Sequence, residues 1–454
     1  MNRKTFIQQT SLAAGALLVP SYAWSIGGKS ANVKVVIIGG GFSGLAAANQ
    51  LKQKGISFVV LESRNRIGGR VFSHQMSNDL VIELGGEWIG NSHARIQELC
   101  GEFNILLENN QFESHLIYKN QYSPSGKWDY SEEWRHKFET ILKKYHEMSE
   151  AEKLKLDQYD WWRYLVDNGC EGRDLEIREL LDSTDFGESI RHVSAFAALA
   201  EYAESSPKNE MDLKMKGGNG KLATAFANRI GTENIKLKHH VSKIDQSRKK
   251  VSVHCTNGTV IECDKVICTA PAFALSRINW LPALPINFAE AVRELQYARI
   301  QKHAMHFTER FWGDESFDMI TDQSPQYFYH ATKNQKSKDG VLIAYSVGDK
   351  AMMNANQTNE FLAQDVFRCL EPHFGNIKPL LKNQVSYYWG NDEYSRGAYA
   401  FYGIDQWFKL RPILAQPFMN THFAGEHLAD WQGFMEGAIE TGEAAAENVF
   451  KTQF

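Results

Sequence analysis

This 454-residue chain has little cysteine, no excess of either charge and no repeats, and each absence narrows its class. Its six cysteines (Cys100, Cys170, Cys255, Cys263, Cys268, Cys369) form no C-x-x-C pair and no framework suited to a disulfide-rich module. They read as buried, inert thiols, with a bridge between Cys263 and Cys268 left open but not indicated. The 50 Lys and Arg nearly balance the 54 Asp and Glu, for a formal net charge of −4. With no long basic run, a nucleic-acid partner is not expected. No histidine pair has metal-ligand context, so no metal is expected either. His303 and His306 fall in a strand-like run, and the adjacent His239 and His240 would face opposite ways if extended. Beyond residue 30 no apolar run approaches the thickness of a bilayer. A chain of this length exceeds one simple core, and two interleaved domains are the natural expectation.

Residues 1–30 differ in character from the rest of the chain. Arg3-Lys4 precede Thr5-Phe6-Ile7, then a short apolar run from Ser11 to Val19, Pro20 and small residues near Ala23 and Ser25. A basic start, a short apolar stretch and small residues describe an export signal better than a membrane span. The pattern resembles a twin-arginine signal with Lys4 in place of the second arginine, which would carry the protein to the periplasm. Read as an uncleaved tail, it leaves the protein in the cytoplasm.

The chemistry-bearing stretch is Val33 to Arg70, VKVVIIGGGFSGLAAANQLKQKGISFVVLESRNRIGGR. A β-branched run (Val35 to Ile38) ends in Gly39-Gly40-Gly41-Phe42-Ser43-Gly44, a helical segment comes next, and a second apolar run (Phe58 to Leu61) ends in Glu62. Strand, glycine turn, helix, strand and acid in this order make a dinucleotide site. Gly39 permits the sharp turn, Gly41 lets backbone approach a pyrophosphate, and Gly44 lets the helix pack on the strand. Free N–H groups at the helix start meet the phosphates, and Glu62 can accept from a ribose.

Further along, Leu80 to Leu84 leads into Gly85-Gly86, and residues 131–156 carry an amphipathic helical pattern with Trp134, Phe138, Ile141, Leu142, Tyr145 and Met148 on one face. The dinucleotide fold resumes near Lys214, where KLKHHVSKI, KVSVHC and TVIECDKVICTAP read as successive strands. The C-terminal stretch THFAGEHLADWQGFMEGAIETGEAAAENVF reads as a strand, a glycine turn and a long helix.

Taken in order, VVIIGGGFSGLAAANQL, VVLESRNRIGGRVFS, IELGGEWIG and FAGEHLADWQGFMEGAIETGEAAA resemble the signature segments of the flavin-containing amine oxidase family. That family includes monoamine, polyamine and L-amino-acid oxidases. The resemblance implies an α/β fold in which a Rossmann-like FAD-binding domain (31–110, 215–280, 390–454) is interleaved with an α+β substrate-binding domain (111–214, 281–389). Phe42, Ser43 and Gly44 would face the pyrophosphate, and Glu62, with Ser63 beside it, the adenosine ribose. Arg70 would support the phosphates or the flavin linkage. Gly85, Gly86, Glu87 and Trp88 would run along the isoalloxazine, and the Val241 backbone would hold the adenine. Gly425, Glu426, Phe434, Met435 and Glu436 would reach the ribityl chain and flavin O2. The family's covalent-flavin cysteine is matched by Ala398, so FAD should be noncovalent.

The same resemblance makes Lys302 the lysine beside flavin N5, and Tyr399 and Phe434 the two aromatic walls for the amine. The implied activity is oxidative deamination of an amine to an imine and aldehyde, with dioxygen reduced to hydrogen peroxide. L-amino-acid oxidases of the family clamp the substrate carboxylate with an arginine where this chain has Trp88, which favours an amine. An amino-acid substrate held by Arg95 or another arginine is the alternative, as is a dehydrogenase passing electrons to a protein or quinone. Phe186, Phe196 and Tyr202 could line the pocket, though core packing explains them equally well. A homodimer stays open beside a monomer.

Overall fold

The computed structural model describes residues 33–452, so the export-signal reading of residues 1–30 lies outside them. Five strands form a wholly parallel sheet in the spatial order Thr421–Phe423, Lys265–Cys268, Val35–Ile38, Phe58–Leu61, Ile235–Lys236. Every residue of Val35–Ile38 is buried, as expected for a central parallel strand covered on both faces. The period of two then sorts its side chains. Val35 and Ile37 pack under the helices Phe42–Gln53 and Met435–Lys451, while Val36 and Ile38 join the larger core on the other face.

A second sheet has seven strands, in the order Leu381–Tyr388, Ile300–Phe307, Gly340–Val347, Tyr327–His330, Phe317–Thr321, Glu113–Tyr118, Gln121–Ser123. All neighbours run antiparallel except Phe317–Thr321 beside Glu113–Tyr118, which are parallel. Its second and third strands, Ile300–Phe307 and Gly340–Val347, are buried throughout, so any charged residue on them needs a partner. The mixed α/β architecture expected from the sequence is present. No helix among the described residues is long and apolar enough to cross a membrane.

Three local readings change. KLKHHVSKI and TVIECDKVICTAP each divide between two sheets: Ile235–Lys236 and Lys265–Cys268 join the parallel sheet, whereas Val241–Asp245 and Val260–Cys263 join a separate four-stranded one. Cys263 and Cys268 are buried free thiols at the ends of strands in different sheets. The amphipathic segment 131–156 is two helices, Glu132–Tyr145 and Glu150–Leu156. Ser149 and Glu152 form a reciprocal capping box that starts the second, and Trp134, Ile141 and Tyr145 turn inward on the first.

Candidate active site

One long cavity runs from the glycine loop to the face of the seven-stranded sheet. At its first end the central strand stops at Gly39, whose φ of +108° and lack of Cβ make the turn possible; a Cβ there would lie 2.4 Å from Thr269 Oγ1. Gly44 lets the helix start close in, since a Cβ would lie 2.0 Å from the Gly39 carbonyl oxygen. The helix Phe42–Gln53 has no side-chain cap, so its first-turn N–H groups open toward the cavity, and Ser43 Oγ is buried without a partner beside them. Glu62 accepts from Gly40 N at 2.6 Å and Arg64 N at 2.8 Å, which fixes its carboxylate at the cavity edge. Ser63 Oγ meets His240 Nδ1 at 3.1 Å. Arg64 is paired with Asp392, and Tyr394 and Ser395 complete this wall.

Midway along, Arg70 donates to Ala398 O and to Glu426 Oε1, both at 2.6 Å. Burial opposes the guanidinium charge, but Glu426 outweighs it and holds the Arg70 pKa above its ordinary value. Glu426 also accepts from Gly433 N at 2.9 Å and Ala400 N at 3.2 Å, which ties three segments together at the cavity wall. Gly85, Gly86, Phe434 and Met435 line the same stretch. The helix Met435–Lys451 begins there, again with no side-chain cap.

Lys302 lies on the buried strand Ile300–Phe307, 3% exposed. Its ammonium donates to Glu83 O (3.1 Å), Gly85 O (2.9 Å) and Glu87 Oε2 (3.1 Å), which uses all three of its hydrogens. Glu87 in turn binds Lys214 Nζ at 2.7 Å and the Tyr329 hydroxyl at 2.6 Å. Burial pulls the Lys302 pKa below the ordinary lysine value, with Glu87 opposing. Burial would raise Glu87, but Lys214 and Lys302 together hold it below the usual carboxylate value. Nearby Glu83, buried with Oε2 unpartnered, is pushed up to about 7.

Beyond Lys302 the walls are aromatic. Trp88 packs against Tyr329 and Tyr345 at centroid distances of 5.7 and 6.3 Å. Tyr399 donates to the Asp185 carbonyl at 2.6 Å, and Phe434 sits edge-on to His93 at 4.8 Å. Phe186 lines the cavity, whereas Phe196 packs on Trp407 and Phe408, and Tyr202 reaches Asp185 from behind.

Three residues expected at the cofactor do not line the cavity. Gly44 serves the helix–strand approach, Val241 is buried next to His240, which does line the cavity, and Glu436 faces away. Glu436 accepts from Arg95 N at 2.6 Å and Ile96 N at 2.7 Å, capping the helix Ala94–Glu102. Arg95 is no substrate clamp, because its guanidinium is bound to Glu443, Glu98 and Glu102 away from the cavity. Sequence reasoning missed Asp185, Glu201 and Asp318 on the lining, along with His240, Tyr345 and the Arg64–Asp392 pair.

The residues fit FAD. Two uncapped helix starts and an orphaned serine hydroxyl suit a phosphate chain, Glu62 suits a ribose, and the Gly85-Gly86 backbone and Trp88 suit a flat ring system. Ala398 lines the wall and no described cysteine does, so the lining offers no thiol for a cysteinyl link to FAD.

The model of the family described as flavin containing amine oxidoreductase matches residues 42–450. Human flavin-containing amine oxidase B is 25% identical over 464 residues, covering 91% of this chain and 85% of that protein. Flavin-containing amine oxidase A of Sus scrofa is 26% identical over 454 residues, covering 92% and 85%. Among solved structures, cyclohexylamine oxidase from Brevibacterium oxydans superposes with a TM-score of 0.83 at 20% identity, covering 93% of this chain and 99% of that one. Wild-type putrescine oxidase bound to putrescine gives 0.82 at 20% identity, covering 92% and 99%. Those two structures share the fold; the family model, matched from the glycine loop to the last helix, says more: this chain belongs to the flavin-containing amine oxidoreductases.

Proposed function

We propose that the protein oxidises an amine at the carbon bearing nitrogen, giving an imine that water hydrolyses to an aldehyde, with dioxygen taking up the electrons as hydrogen peroxide. The observation that carries this reading is the continuity of one cavity, from the dinucleotide-binding loop and Glu62 at one end to Lys302 and the walls Trp88, Tyr399 and Phe434 at the other. Bound FAD supplies the two-electron acceptor. The protein's part is to position and to exclude water. Tyr399 is held through its hydroxyl and Phe434 through His93, so two fixed ring surfaces can orient a neutral amine without supplying a base. Lys302 and Lys214 stand against Glu87, and burial pushes the neighbouring Glu83 up to about 7, so positive charge is kept at that end, and the start of the helix Met435–Lys451 adds its positive pole. Both favour the negative charge that a reduced acceptor gathers. With its three hydrogens taken up by the protein, Lys302 acts through its charge.

An amine is favoured over an L-amino acid because Trp88 stands where a carboxylate clamp would, and Arg95 is engaged elsewhere. The twin-arginine-like sequence of residues 1–30 supports a periplasmic location, which fractionation of the producing cells would test. An anaerobic bleaching screen of the yellow protein against amines, polyamines and L-amino acids tests the activity. Bleaching by an amine, reversed by air with release of peroxide, is the expected result. Bleaching by amino acids alone would overturn the substrate class, and bleaching that air does not reverse would overturn the acceptor.

A further inference from the structure

Beside the aromatic walls the cavity is lined by acids. Asp185, near the end of the helix Gly172–Phe186, Glu201 on the helix Ala195–Glu204, and Asp318 on the strand Phe317–Thr321 all line it. Asp318 is 1% exposed; Oδ2 accepts from the Tyr327 hydroxyl at 2.7 Å, while Oδ1 has no hydrogen bond although Ser114 lies alongside. Asn209 Oδ1, on the same lining, is also buried without a partner. The Glu201 carboxylate has neither a hydrogen bond nor an ion pair among the described residues. Its electrostatic neighbours are Asp185 and Glu210, both of its own sign.

Among the described residues, no buried cation on the lining is free to answer them. Arg64, Arg70 and Lys302 are paired with Asp392, Glu426 and Glu87, and Arg277 is at the exposed rim. Behind the wall, Arg178 is paired with Asp182 at 3.0 Å and Lys208 with Glu113 at 3.0 Å, while Lys333, shared electrostatically among Asp314, Asp318 and Glu113, donates to Gln111 O and Ser316 Oγ. Burial and like charges raise all three lining acids: Asp318 to about 6, Asp185, with Asp182 behind it, to about 7, and Glu201 well above the ordinary carboxylate value.

Acceptors buried without donors at Asp318 Oδ1 and Asn209 Oδ1, beside the half-buried acids Asp185 and Glu201, call for a ligand that brings both donors and positive charge. An ammonium carries three donors and one positive charge. The hydrocarbon tail of a monoamine satisfies none of these groups, and the carboxylate of an amino acid would be repelled by them. The Tyr399–Asp185 hydrogen bond ties this acidic end to the aromatic wall, so the two ends of one elongated substrate would be read by a single rigid unit. We propose that Asp185, Glu201 and Asp318 form a subsite for a second cationic nitrogen, and that the amine oxidised is a diamine or polyamine. The inference rests on the amine-oxidising reading above.

The test uses the holoenzyme and two series, n-alkylamines and α,ω-diaminoalkanes of matched chain length. At its best length a diamine should have a kcat/KM about 10- to 100-fold above the matched monoamine, chiefly through KM. Glu201→Gln should bring that ratio close to one, and Asp185→Asn, which keeps an acceptor for Tyr202, provides a second variant should the first fail to fold. A non-oxidisable dication, 1,4-diguanidinobutane, should compete with substrate and lose about tenfold in affinity in Glu201→Gln. Efficient monoamine turnover with a wild-type ratio near one, or a ratio unmoved in both variants, would overturn the subsite and leave amine oxidation standing. No bleaching by either series would overturn amine oxidation and the subsite together.

Discussion

Lys302 and Glu87 form one 3.1 Å ion pair, yet removing either partner should have different costs. Lys302→Met deletes three hydrogen bonds, but Glu87 keeps Lys214 at 2.7 Å and the Tyr329 hydroxyl at 2.6 Å, so its charge stays answered. What is lost is the donor to the carbonyls of Glu83 and Gly85. At roughly 1–2 kcal/mol for each carbonyl left unpaired, and with no ammonium left to desolvate, a net loss of about 2 kcal/mol is expected. Glu87→Gln is different in kind, because Lys302 and Lys214 then face a neutral amide and lose their directly bonded carboxylate, with Glu83 left as the more distant counter-charge. Breaking a buried pair this way costs about 3–5 kcal/mol. The Lys302 pKa, already lowered by burial, loses the carboxylate that opposes the shift. The unfolded chain then binds more protons than the folded one, so the stability of Glu87→Gln should rise with pH up to about 10, where unfolded lysine titrates. Urea midpoints of the three holoproteins between pH 7 and 10 measure both effects. Equal losses, or a larger loss in Lys302→Met, would refute the assignment of Glu87 as the shared counter-charge. Stopped-flow reoxidation by air belongs to the same set: Lys302→Met should slow it at least tenfold, and an unchanged rate would remove Lys302 from catalysis.

Gly44→Ala places a Cβ 2.0 Å from the Gly39 carbonyl oxygen, so it should purify without flavin, whereas Gly55→Ala, at φ +67° in open space, should keep flavin and lose about 1–2 kcal/mol by urea midpoint. Glu436→Ala removes both acceptors at the start of the helix Ala94–Glu102 and should cost about 1–2 kcal/mol while flavin content holds; colourless but equally stable protein would put Glu436 back at the cofactor. Arg70→Met leaves Glu426 with Gly433 N and Ala400 N alone and should cost about 2–3 kcal/mol, read as weaker flavin retention during dialysis; tight retention would make the pair dispensable.

The parallel sheet and the glycine loop were legible because their signal is contiguous: an apolar run, a turn that only glycine makes, a helix and an acid. The split of residues 131–156 was legible too, in the Ser149-x-x-Glu152 capping box, which periodicity alone overlooks. Glu436 was misplaced because its neighbours Phe434 and Met435 do line the cavity, while its own direction depends on a helix more than 300 residues earlier in the chain. The acidic end is assembled from two consecutive helices and a strand far beyond them, so no spacing announces it. Two of the acids nonetheless leave a local trace. Glu201 interrupts the Ala-rich AFAALAEYA, and Asp318 sits inside FDMIT, a strand buried at every residue. A charge in an apolar run needs a reason, and that holds for Glu201 and Asp318 as it does for Lys302.

The helix Met435–Lys451 seats Gly442 against Ser43, where a Cβ would lie 2.0 Å from the Ser43 carbonyl oxygen, and residues 425–438 close the cavity wall. The nucleotide loop at residues 39–44 is therefore completed by residues 425–442, far later in the chain. While a ribosome is making the stretch between them, the loop has no helix Met435–Lys451 to back it. A chain clipped before Met435 would lack that backing and part of the cavity wall. Yellow colour in a preparation thus reports synthesis carried through that helix as much as it reports folding.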